Sequence, residues 1–203
     1  MTGRLIAFEG GEATGKSTQA RLLAERLGAT LTREPGGTPV GARIRTIVLD
    51  PSSPALGARA ETLLLAADRA QHVEEVVGPA LESGADVVTD RFSGSTLAYQ
   101  GWGRGLVLDE LQTLSSWASG GLEPDLVILL DVPAAVASAR LADHRPDRLE
   151  ALGSSFHQRV AEGYRSLATA RPDQWVVVEG DGSVEEVAAR VWTAYESWSG
   201  VHP

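Results

Sequence analysis

The feature that most constrains this chain is a glycine-rich turn between two apolar segments near residue 10. Residues 10–17 read Gly-Gly-Glu-Ala-Thr-Gly-Lys-Ser and follow the pattern G-x-x-x-x-G-K-[ST]. In this pattern, backbone N–H groups of the loop hold the phosphates of a nucleotide. Lys16 is the only lysine among the 18 basic residues of the chain. Because a compact ammonium on a flexible stem reaches a phosphate differently from a rigid guanidinium, its position here also favours a phosphate site.

The residues on either side of this loop support the same interpretation. Leu5–Phe8 is a short apolar run, typical of a buried parallel strand. After the loop, Leu22, Leu23 and Leu27 lie at helical spacing. A strand, a glycine loop and a helix together direct backbone N–H groups and the positive end of the helix at bound phosphates. We therefore favour a phosphate-binding loop over a glycine-rich turn without a ligand.

Strand-like and helix-like segments alternate along the whole chain. The predicted strands are Leu5–Phe8, Ala29–Thr32, Asp86–Thr89, Leu126–Leu130 and Trp175–Val178. The predicted helices are Ser17–Leu27, Pro39–Leu49, Ala58–Leu81, Leu108–Ala118, Ala134–Leu141, Ser154–Ala168 and Val184–Trp198. This alternation predicts an α/β fold of three layers, α/β/α, with a five-stranded parallel sheet between the helices.

Length and composition narrow the range of functions. The 203 residues contain no linker long enough to divide them, so we expect one domain over residues 1–203. A net charge of −9 argues against nucleic acid or an anionic membrane as a partner. The absence of cysteine excludes disulfides and thiolate metal sites. With no long apolar run and no secretory pattern at residue 1, we expect a cytoplasmic protein.

Polar residues follow each predicted strand, at the edge of a parallel sheet where ligands bind. Asp90 and Arg91 directly follow the third strand. An aspartate beside a phosphate loop can hold Mg²⁺, usually through water. An adjacent arginine can bind a phosphate through two parallel hydrogen bonds. An ion pair that caps the strand end is the alternative, but the nearby phosphate loop favours a magnesium and phosphate site.

Several further stretches stand out: Thr-Arg-Glu-Pro-Gly-Gly-Thr at 32–38, Ala-Asp-Arg-Ala-Gln-His-Val at 67–73, Asp-Arg-Phe at 90–92, Ser-Thr-Leu-Ala-Tyr-Gln-Gly at 95–101 and Asp-Arg-Leu-Glu at 147–150. With these stretches and the phosphate loop, the chain resembles the bacterial thymidylate kinase family, of the type with basic residues in the lid, from about residue 4 to residue 198. The phosphate loop is common to many enzymes, whereas the stretches at 32–38 and 90–101 are far more particular. The resemblance implies a P-loop nucleoside monophosphate kinase-like fold and a homodimer. It also implies conversion of dTMP to dTDP with ATP and Mg²⁺, in dTTP biosynthesis.

Phosphoryl transfer between two phosphates needs positioning and charge neutralisation rather than a strong base. The resemblance implies that Lys16 contacts the β- and γ-phosphates, and that Arg91 bridges donor and acceptor. It places Mg²⁺ at Ser17, with Asp90 in the outer shell. The residues it implies for ATP binding are Gly10, Gly11, Glu12, Ala13, Thr14, Gly15, Lys16, Ser17, Thr18 and Arg140.

A lid is predicted at about residues 141–153. In some family members an arginine in the phosphate loop stabilises the transferred group, but here no basic residue lies between Gly10 and Lys16. The lid segment supplies guanidiniums instead, and we favour Arg148 and Arg140 over Arg145. The residues expected to be catalytic are Lys16, Arg91, Arg148, Arg140 and Glu12.

The resemblance also implies how the acceptor nucleotide binds. Glu12 would face the sugar 3′-hydroxyl, Arg69 the thymine carbonyl, and Thr96 and Gln100 the base edge. Tyr99 would occupy the space of a ribose 2′-hydroxyl. The full set expected to bind the acceptor is Glu12, Glu34, Pro35, Leu65, Arg69, Arg91, Thr96, Tyr99 and Gln100. Leu65 departs from the family, where a phenylalanine often stacks on thymine; the missing ring contact amounts to about 1 kcal/mol.

Two alternatives remain open at this point. The chain could phosphorylate another pyrimidine nucleotide or a nucleoside, such as dUMP, dCMP or a deoxynucleoside. It could also be a non-catalytic nucleotide-binding protein, although the phosphate-site residues Lys16, Ser17, Asp90 and Arg91 are intact. The long predicted helix Ala58–Leu81 has apolar residues on more than one side, which allows a second subunit to pack there.

Overall fold

The five predicted strands form one parallel sheet in the computed structural model, which describes residues 3–141 and 146–201. The strands are β1 (Leu5–Glu9), β2 (Thr30–Arg33), β3 (Val87–Asp90), β4 (Leu126–Asp131) and β5 (Trp175–Glu179). Their order is β2-β3-β1-β4-β5, and all neighbouring pairs are parallel. This order puts β1 and β3, the strands that precede the phosphate loop and Asp90–Arg91, side by side.

Helices cover both faces of the sheet, as the alternating pattern predicts. Successive side chains of a strand point to opposite faces. Leu5 and Ala7 of β1 accordingly belong to one hydrophobic core, and Ile6 and Phe8 belong to the other. All four are fully buried. The three-layer α/β/α architecture is therefore confirmed.

The helices match the predicted segments closely, with two differences. They are α1 (Lys16–Leu27), α2 (Pro39–Leu49), α3 (Ala58–His72), α4 (Gly78–Glu82), α5 (Ser93–Thr96), α6 (Leu108–Ala118), α7 (Ala134–Leu141), α8 (Ser154–Ala170) and α9 (Val184–Val201). Helices α1 and α9 supply one core, and α8 supplies the other. Among the described helices, none combines the length and apolarity needed to cross a bilayer.

The first difference lies in the predicted helix Ala58–Leu81, which is interrupted. A π-helical segment at Val73–Val77 separates α3 from α4. The Gly78 N–H donates to the carbonyl of Val73, five residues back. Pro79 follows and has no N–H with which to continue a regular ladder. The widened turn lets the chain continue as a helix past the proline.

The second difference is a helical segment that the sequence did not predict. Helix α5 continues into a π-helix at Leu97–Gly103. Its serines and glycines are poor helix formers, so local propensity hides it. Tertiary packing explains the composition, because a Cβ on Gly103 would lie 2.5 Å from the Phe156 ring. This segment carries Thr96, Tyr99 and Gln100.

Residues 142–145 lie outside the described part of the chain. They include Arg145 and part of the predicted lid at about 141–153, so the extent of the lid stays a prediction.

Candidate active site

The phosphate loop joins the carboxyl end of β1 to the N-terminus of α1, as predicted. Gly10 and Gly15 have φ values of 143° and 93°, which glycine adopts without steric cost. At Gly10 a Cβ would also lie 2.5 Å from the carbonyl oxygen of Leu130 on β4. The Thr14 hydroxyl donates to the Gly11 carbonyl at 3.2 Å and holds the turn. The loop therefore ends at the first residue of α1, where unpaired backbone N–H groups bind anions.

Lys16 is buried at the start of α1. Its Nζ donates to the Gly11 carbonyl at 2.5 Å and to the Thr14 hydroxyl at 3.3 Å. Burial, together with the charge of Arg91, lowers the pKa of Lys16 to about 8. A bound phosphate would supply the negative charge that favours the protonated ammonium.

Ser17 and Asp90 meet beside Lys16. The Ser17 hydroxyl donates to Oδ2 of Asp90 at 2.5 Å, while Oδ1 of Asp90 is buried with no hydrogen-bond partner among the described residues. Oxygen ligands of this kind suit Mg²⁺, which keeps several waters and takes one or two protein ligands beside phosphate. The pair therefore fits the predicted metal site.

Arg91 lies at the centre of the polar network. Its Nη1 donates to the Gly10 carbonyl at 2.9 Å, and its Nη2 donates to Oε1 of Glu12 at 2.8 Å and to the Tyr99 hydroxyl at 3.1 Å. Tyr99 also donates to the Glu12 carboxylate. Burial raises the pKa of Glu12, but the charges of Arg91 and Lys16 outweigh burial and bring it to about 2. Glu12 is therefore an anion near neutral pH.

Behind Arg91 lies a network that the sequence analysis missed. Glu9 is fully buried and accepts from the Phe92 N–H at 3.0 Å, the Ser95 hydroxyl at 2.6 Å and the Tyr164 hydroxyl at 3.0 Å. Arg91 Nη1 donates to the same Tyr164 hydroxyl at 3.0 Å. Burial raises the pKa of Glu9, and its effect outweighs that of these hydrogen bonds, which lower the pKa. Only the polar end of β1 pointed to Glu9, and no pattern pointed to Tyr164.

On the opposite side, Glu34 holds Arg69 in place. Its Oε2 accepts from Arg69 Nε at 2.9 Å and Nη2 at 2.8 Å, and its Oε1 lies 3.0 Å from His72 Nδ1. Arg69 Nη1 donates to the Thr96 hydroxyl at 3.1 Å. All four of these residues are buried. The ion pair fixes the guanidinium plane beside the segment that carries Gln100.

A second buried carboxylate, Glu61 of α3, lies against Gln100. Its Oε1 accepts from Gln100 Nε2 at 3.0 Å. Its Oε2 accepts from Arg104 Nη2 at 2.8 Å and from Arg148 Nη2 at 3.2 Å. No motif in the sequence singled out Glu61.

The two arginines expected from the lid side lie at different places. Arg140 donates to the carbonyls of Ala13 at 3.2 Å and Gly180 at 3.1 Å, so it holds the phosphate loop. Arg148 donates through Nε to the Val48 carbonyl at 2.7 Å, besides its contact with Glu61. Arg148 thus lies with Glu61, away from the phosphate loop, in this arrangement.

One cavity of about 520 Å³ joins these groups. Sixteen of the predicted site residues line it, and Gly10, Gly11, Thr14 and Arg148 do not. Two further arginines, Arg33 and Arg45, also line it and were missed by the sequence analysis. Burial and the neighbouring Arg33 lower the pKa of Arg45, so an anion placed between the two would relieve their repulsion.

Charged and polar side chains form two clusters, and members of each line the cavity. The phosphate cluster consists of Glu12, Lys16, Ser17, Asp90 and Arg91. The base cluster consists of Glu34, Glu61, Arg69, His72 and Gln100.

A phosphate loop on a β2-β3-β1-β4-β5 parallel sheet, with an arginine after β3 and a second polar cluster across the cavity, defines a P-loop nucleoside monophosphate kinase-like protein. The sequence matches the family model described as thymidylate kinase over residues 8–191, and the chain belongs to this family.

Relatives and a solved structure agree with this assignment. The thymidylate kinase of Synechococcus sp. (strain JA-2-3B'a(2-13)) is 49% identical over 198 residues, which is 94% of this chain and 93% of the relative. The thymidylate kinase of Clavibacter sepedonicus shows the same identity and coverage, 49%, 94% and 93%. The crystal structure of thymidylate kinase from Ehrlichia chaffeensis superimposes with a TM-score of 0.80 at 27% identity, covering 96% of this chain and all of that one.

Proposed function

We propose that this protein transfers the γ-phosphoryl group of ATP to dTMP and forms dTDP and ADP. The observation that carries the proposal is a cavity that joins the phosphate loop at one end to Arg69 and Gln100 at the other. Thymidylate kinases match nearly the whole chain, and none of the relatives named above supports a kinase for another nucleotide or a non-catalytic protein.

In the proposed reaction an oxygen of the dTMP phosphate attacks the γ-phosphorus of ATP. The bond between that phosphorus and the β,γ-bridging oxygen breaks, and the electron pair stays on ADP. The attacking oxygen is already anionic, so no general base is required. The protein contributes alignment and fixed positive charge.

The phosphate cluster and Arg140 supply the donor side of this proposal. Lys16 neutralises the β- and γ-phosphates, and Arg91 lies between donor and acceptor phosphates. Mg²⁺ held by Ser17 and Asp90 would neutralise charge on the ATP phosphates when bound. Arg140 keeps the loop in shape through the Ala13 carbonyl.

The acceptor side is proposed from the cavity wall. Glu12 faces the 3′-hydroxyl, and Tyr99, held by Glu12 and Arg91, leaves no space for a ribose 2′-hydroxyl. Glu34 and Pro35 line the turn beside Arg69, and Leu65 covers the base. Arg33 and Arg45, which also line the cavity, add positive charge for the acceptor phosphate.

We also propose a cytoplasmic homodimer. Leu63 of α3 and Trp117 of α6 are large apolar side chains with exposed fractions of 59% and 79%. The two helices contact each other, and a second subunit packed over them would cover these side chains. Sedimentation of the wild type and of Trp117→Glu tests this, because a dimer through this surface should dissociate in the variant.

The function is tested by ADP release from ATP and Mg²⁺ with dTMP, dUMP, dCMP, dGMP or thymidine as acceptor. The expected result is the highest kcat/KM with dTMP, and a rate of ADP release that is about 10³-fold lower in the Lys16→Met variant. Absence of turnover with dTMP, or a higher kcat/KM with dCMP, would contradict the proposal.

A further inference from the structure

The side-chain amide of Gln100 is held in one orientation by a buried carboxylate. Glu61 has an exposed fraction of 0%, and its Oε1 lies 3.0 Å from Gln100 Nε2. A carboxylate accepts hydrogen bonds only, so the NH₂ group of the amide must face it. We propose that Glu61 is a positioning residue for base selection: it turns Gln100 so that the site takes a pyrimidine with an N3–H and rejects cytosine. This inference rests on the proposed function and names the feature of the base that is selected.

Glu61 is itself held firmly. Arg104 donates to both of its oxygens, through Nε at 3.2 Å and Nη2 at 2.8 Å. Arg148 donates to Oε2 at 3.2 Å. Both guanidiniums donate to Oε2, so Oε1 is the oxygen that faces Gln100. The carboxylate therefore presents an acceptor to Gln100 and cannot rotate away without losing these contacts.

The other amide atom of Gln100 is available to a ligand. Gln100 lines the cavity, and its Oε1 is buried without a hydrogen-bond partner among the residues that the structure describes. A buried acceptor without a partner is unfavourable. A donor on a bound base would satisfy it.

Arg69 supplies the complementary donor. Its guanidinium has five N–H groups and no acceptor. Thr96, which accepts from Arg69 Nη1 at 3.1 Å, lies four residues before Gln100 in the same helical segment, so the two groups are neighbours. The wall of the cavity thus offers a fixed donor beside a fixed acceptor.

This pair matches thymine and uracil and opposes cytosine. Thymine presents the carbonyl at C4 to a donor and its N3–H to an acceptor. Cytosine presents an amino group at C4 and a lone pair at N3, which is the reverse pattern. A site that leaves its buried polar groups unpaired discriminates strongly against such a ligand.

The test is Glu61→Gln. Arg104 and Arg148 would donate to the oxygen of the new amide at residue 61, so the NH₂ group of that amide would face Gln100. A donor at this place favours the orientation of Gln100 in which its own oxygen points toward residue 61. We expect the ratio of kcat/KM for dTMP to that for dCMP to fall at least tenfold. Glu75→Gln is the matched control, because Glu75 accepts from Gln71 Nε2 on the exposed side of the helix, away from the cavity. The control should leave the ratio unchanged.

A double-mutant cycle distinguishes an effect of Glu61 on the orientation of the Gln100 amide from a general structural role of Glu61. Gln100→Leu should lower the same ratio, and Glu61→Gln should have no further effect on it in that background. If Glu61→Gln lowers both kcat/KM values equally, or leaves the ratio intact, the inference is wrong. If that variant does not fold, Gln100→Leu decides alone, and an unchanged ratio there overturns the inference.

Calorimetric binding of dTMP and dCMP to the same proteins distinguishes this failure from failure of the proposed function. The inference requires that the wild type bind dTMP at least tenfold more tightly than dCMP and that Glu61→Gln reduce this preference. A wild type that shows this preference but releases no ADP with dTMP contradicts the proposed function and leaves the inference supported. Equal affinities in the wild type overturn the inference, whatever the turnover.

Discussion

The phosphate cluster and the base cluster both pair arginine with glutamate, but in different surroundings. The side chains of Arg91 and Glu12 are 15% and 20% exposed and border the cavity. The side chains of Arg69 and Glu34 are each 4% exposed, and the Glu61 side chain is fully buried. The ion pair of the phosphate cluster is thus partly exposed in the cavity, whereas the carboxylates of the base cluster are almost completely buried in their ion pairs.

This difference separates two uses of the same interaction. A charge that must neutralise an incoming phosphate has to keep some of its hydrogen-bonding capacity open, which costs stability in the free protein. A charge that only orients a hydrogen-bonding group can be fully paired and buried. Substitutions in the two clusters should therefore affect different observables.

The largest expected effect is on turnover, from Lys16→Met in the phosphate cluster. Loss of the ammonium should lower kcat about 10³-fold, corresponding to about 4 kcal/mol in the activation barrier. The free energy of unfolding should not fall, since burial already disfavours the charged lysine, whose pKa is about 8. Steady-state kinetics and urea unfolding measure the two. A marked loss of stability without a loss of kcat would show that Lys16 serves the stability of the fold rather than turnover.

Arg69→Met in the base cluster should mainly lower stability. It leaves the buried Glu34 carboxylate without its guanidinium, and breaking a buried pair in this way costs about 3 kcal/mol. Urea unfolding measures the loss. Glu34→Gln in the same background should recover part of it, because the unpaired charge is then removed. If the single variant is as stable as wild type, the base cluster is not held by this pair.

Asp68 provides a third case, a buried carboxylate near the base cluster that no arginine in the described part of the chain holds as Glu34 and Glu61 are held. Its Oδ2 has no hydrogen-bond partner among the described residues, whereas Oδ1 accepts from the Gly36 N–H at 2.9 Å. Burial raises the pKa of Asp68 to about 6 from 3.8. The folded state therefore holds the proton more tightly than the unfolded chain. The stability due to this group is complete below about pH 4 and is lost as the pH rises to about 6.

Asp68→Asn removes this dependence and keeps an acceptor for Gly36. Relative to wild type, the variant should gain about 2 kcal/mol in unfolding free energy between pH 4 and pH 7. Urea titrations at several pH values measure the difference, in which other titrating groups largely cancel. Parallel curves for the two proteins would show that Asp68 has an ordinary pKa.

Arg148→Ala tests whether an arginine of the base side also serves the phosphate cluster. To reach a phosphate, Arg148 must leave Glu61 and the Val48 carbonyl. If it does so during turnover, kcat should fall about tenfold or more, and the KM for dTMP should change less. Arg104→Ala removes a similar bond to Glu61 and should act on the KM for dTMP instead. An unchanged kcat in Arg148→Ala excludes a role in the transition state.

The smallest expected effect is that of Leu65→Phe in the cavity wall. Leu65 is half-buried and lines the cavity beside Arg69. A ring at this position should restore stacking on thymine and lower the KM for dTMP about fivefold, corresponding to about 1 kcal/mol. Leu31→Phe is the control, because Leu31 of β2 is exposed and does not line the cavity. No improvement at residue 65 argues against stacking as the missing contribution.

Much of the architecture could be predicted because short stretches of the chain determine it. All five strands and the phosphate loop follow from patterns of two to ten residues, and the parallel sheet follows from the alternation of elements. The order of the strands in that sheet came from the structure alone. The helical segment at 93–103 was the exception, because its glycines serve close packing against α8 rather than helix propensity. Glu61 and Tyr164 were also missed, since a single glutamate or tyrosine in a helix carries no local signal of a site.

The amino-acid order alone was enough to establish the phosphate loop, the parallel sheet and the family, because each depends on residues close together in the chain. Only the folded chain decided which partner each charge has. Tyr164 meets Glu9 across 155 residues, Arg148 meets Glu61 across 87 and Arg91 meets Glu12 across 79. Such pairs depend on how the crossovers bring distant elements together, and no local periodicity encodes that.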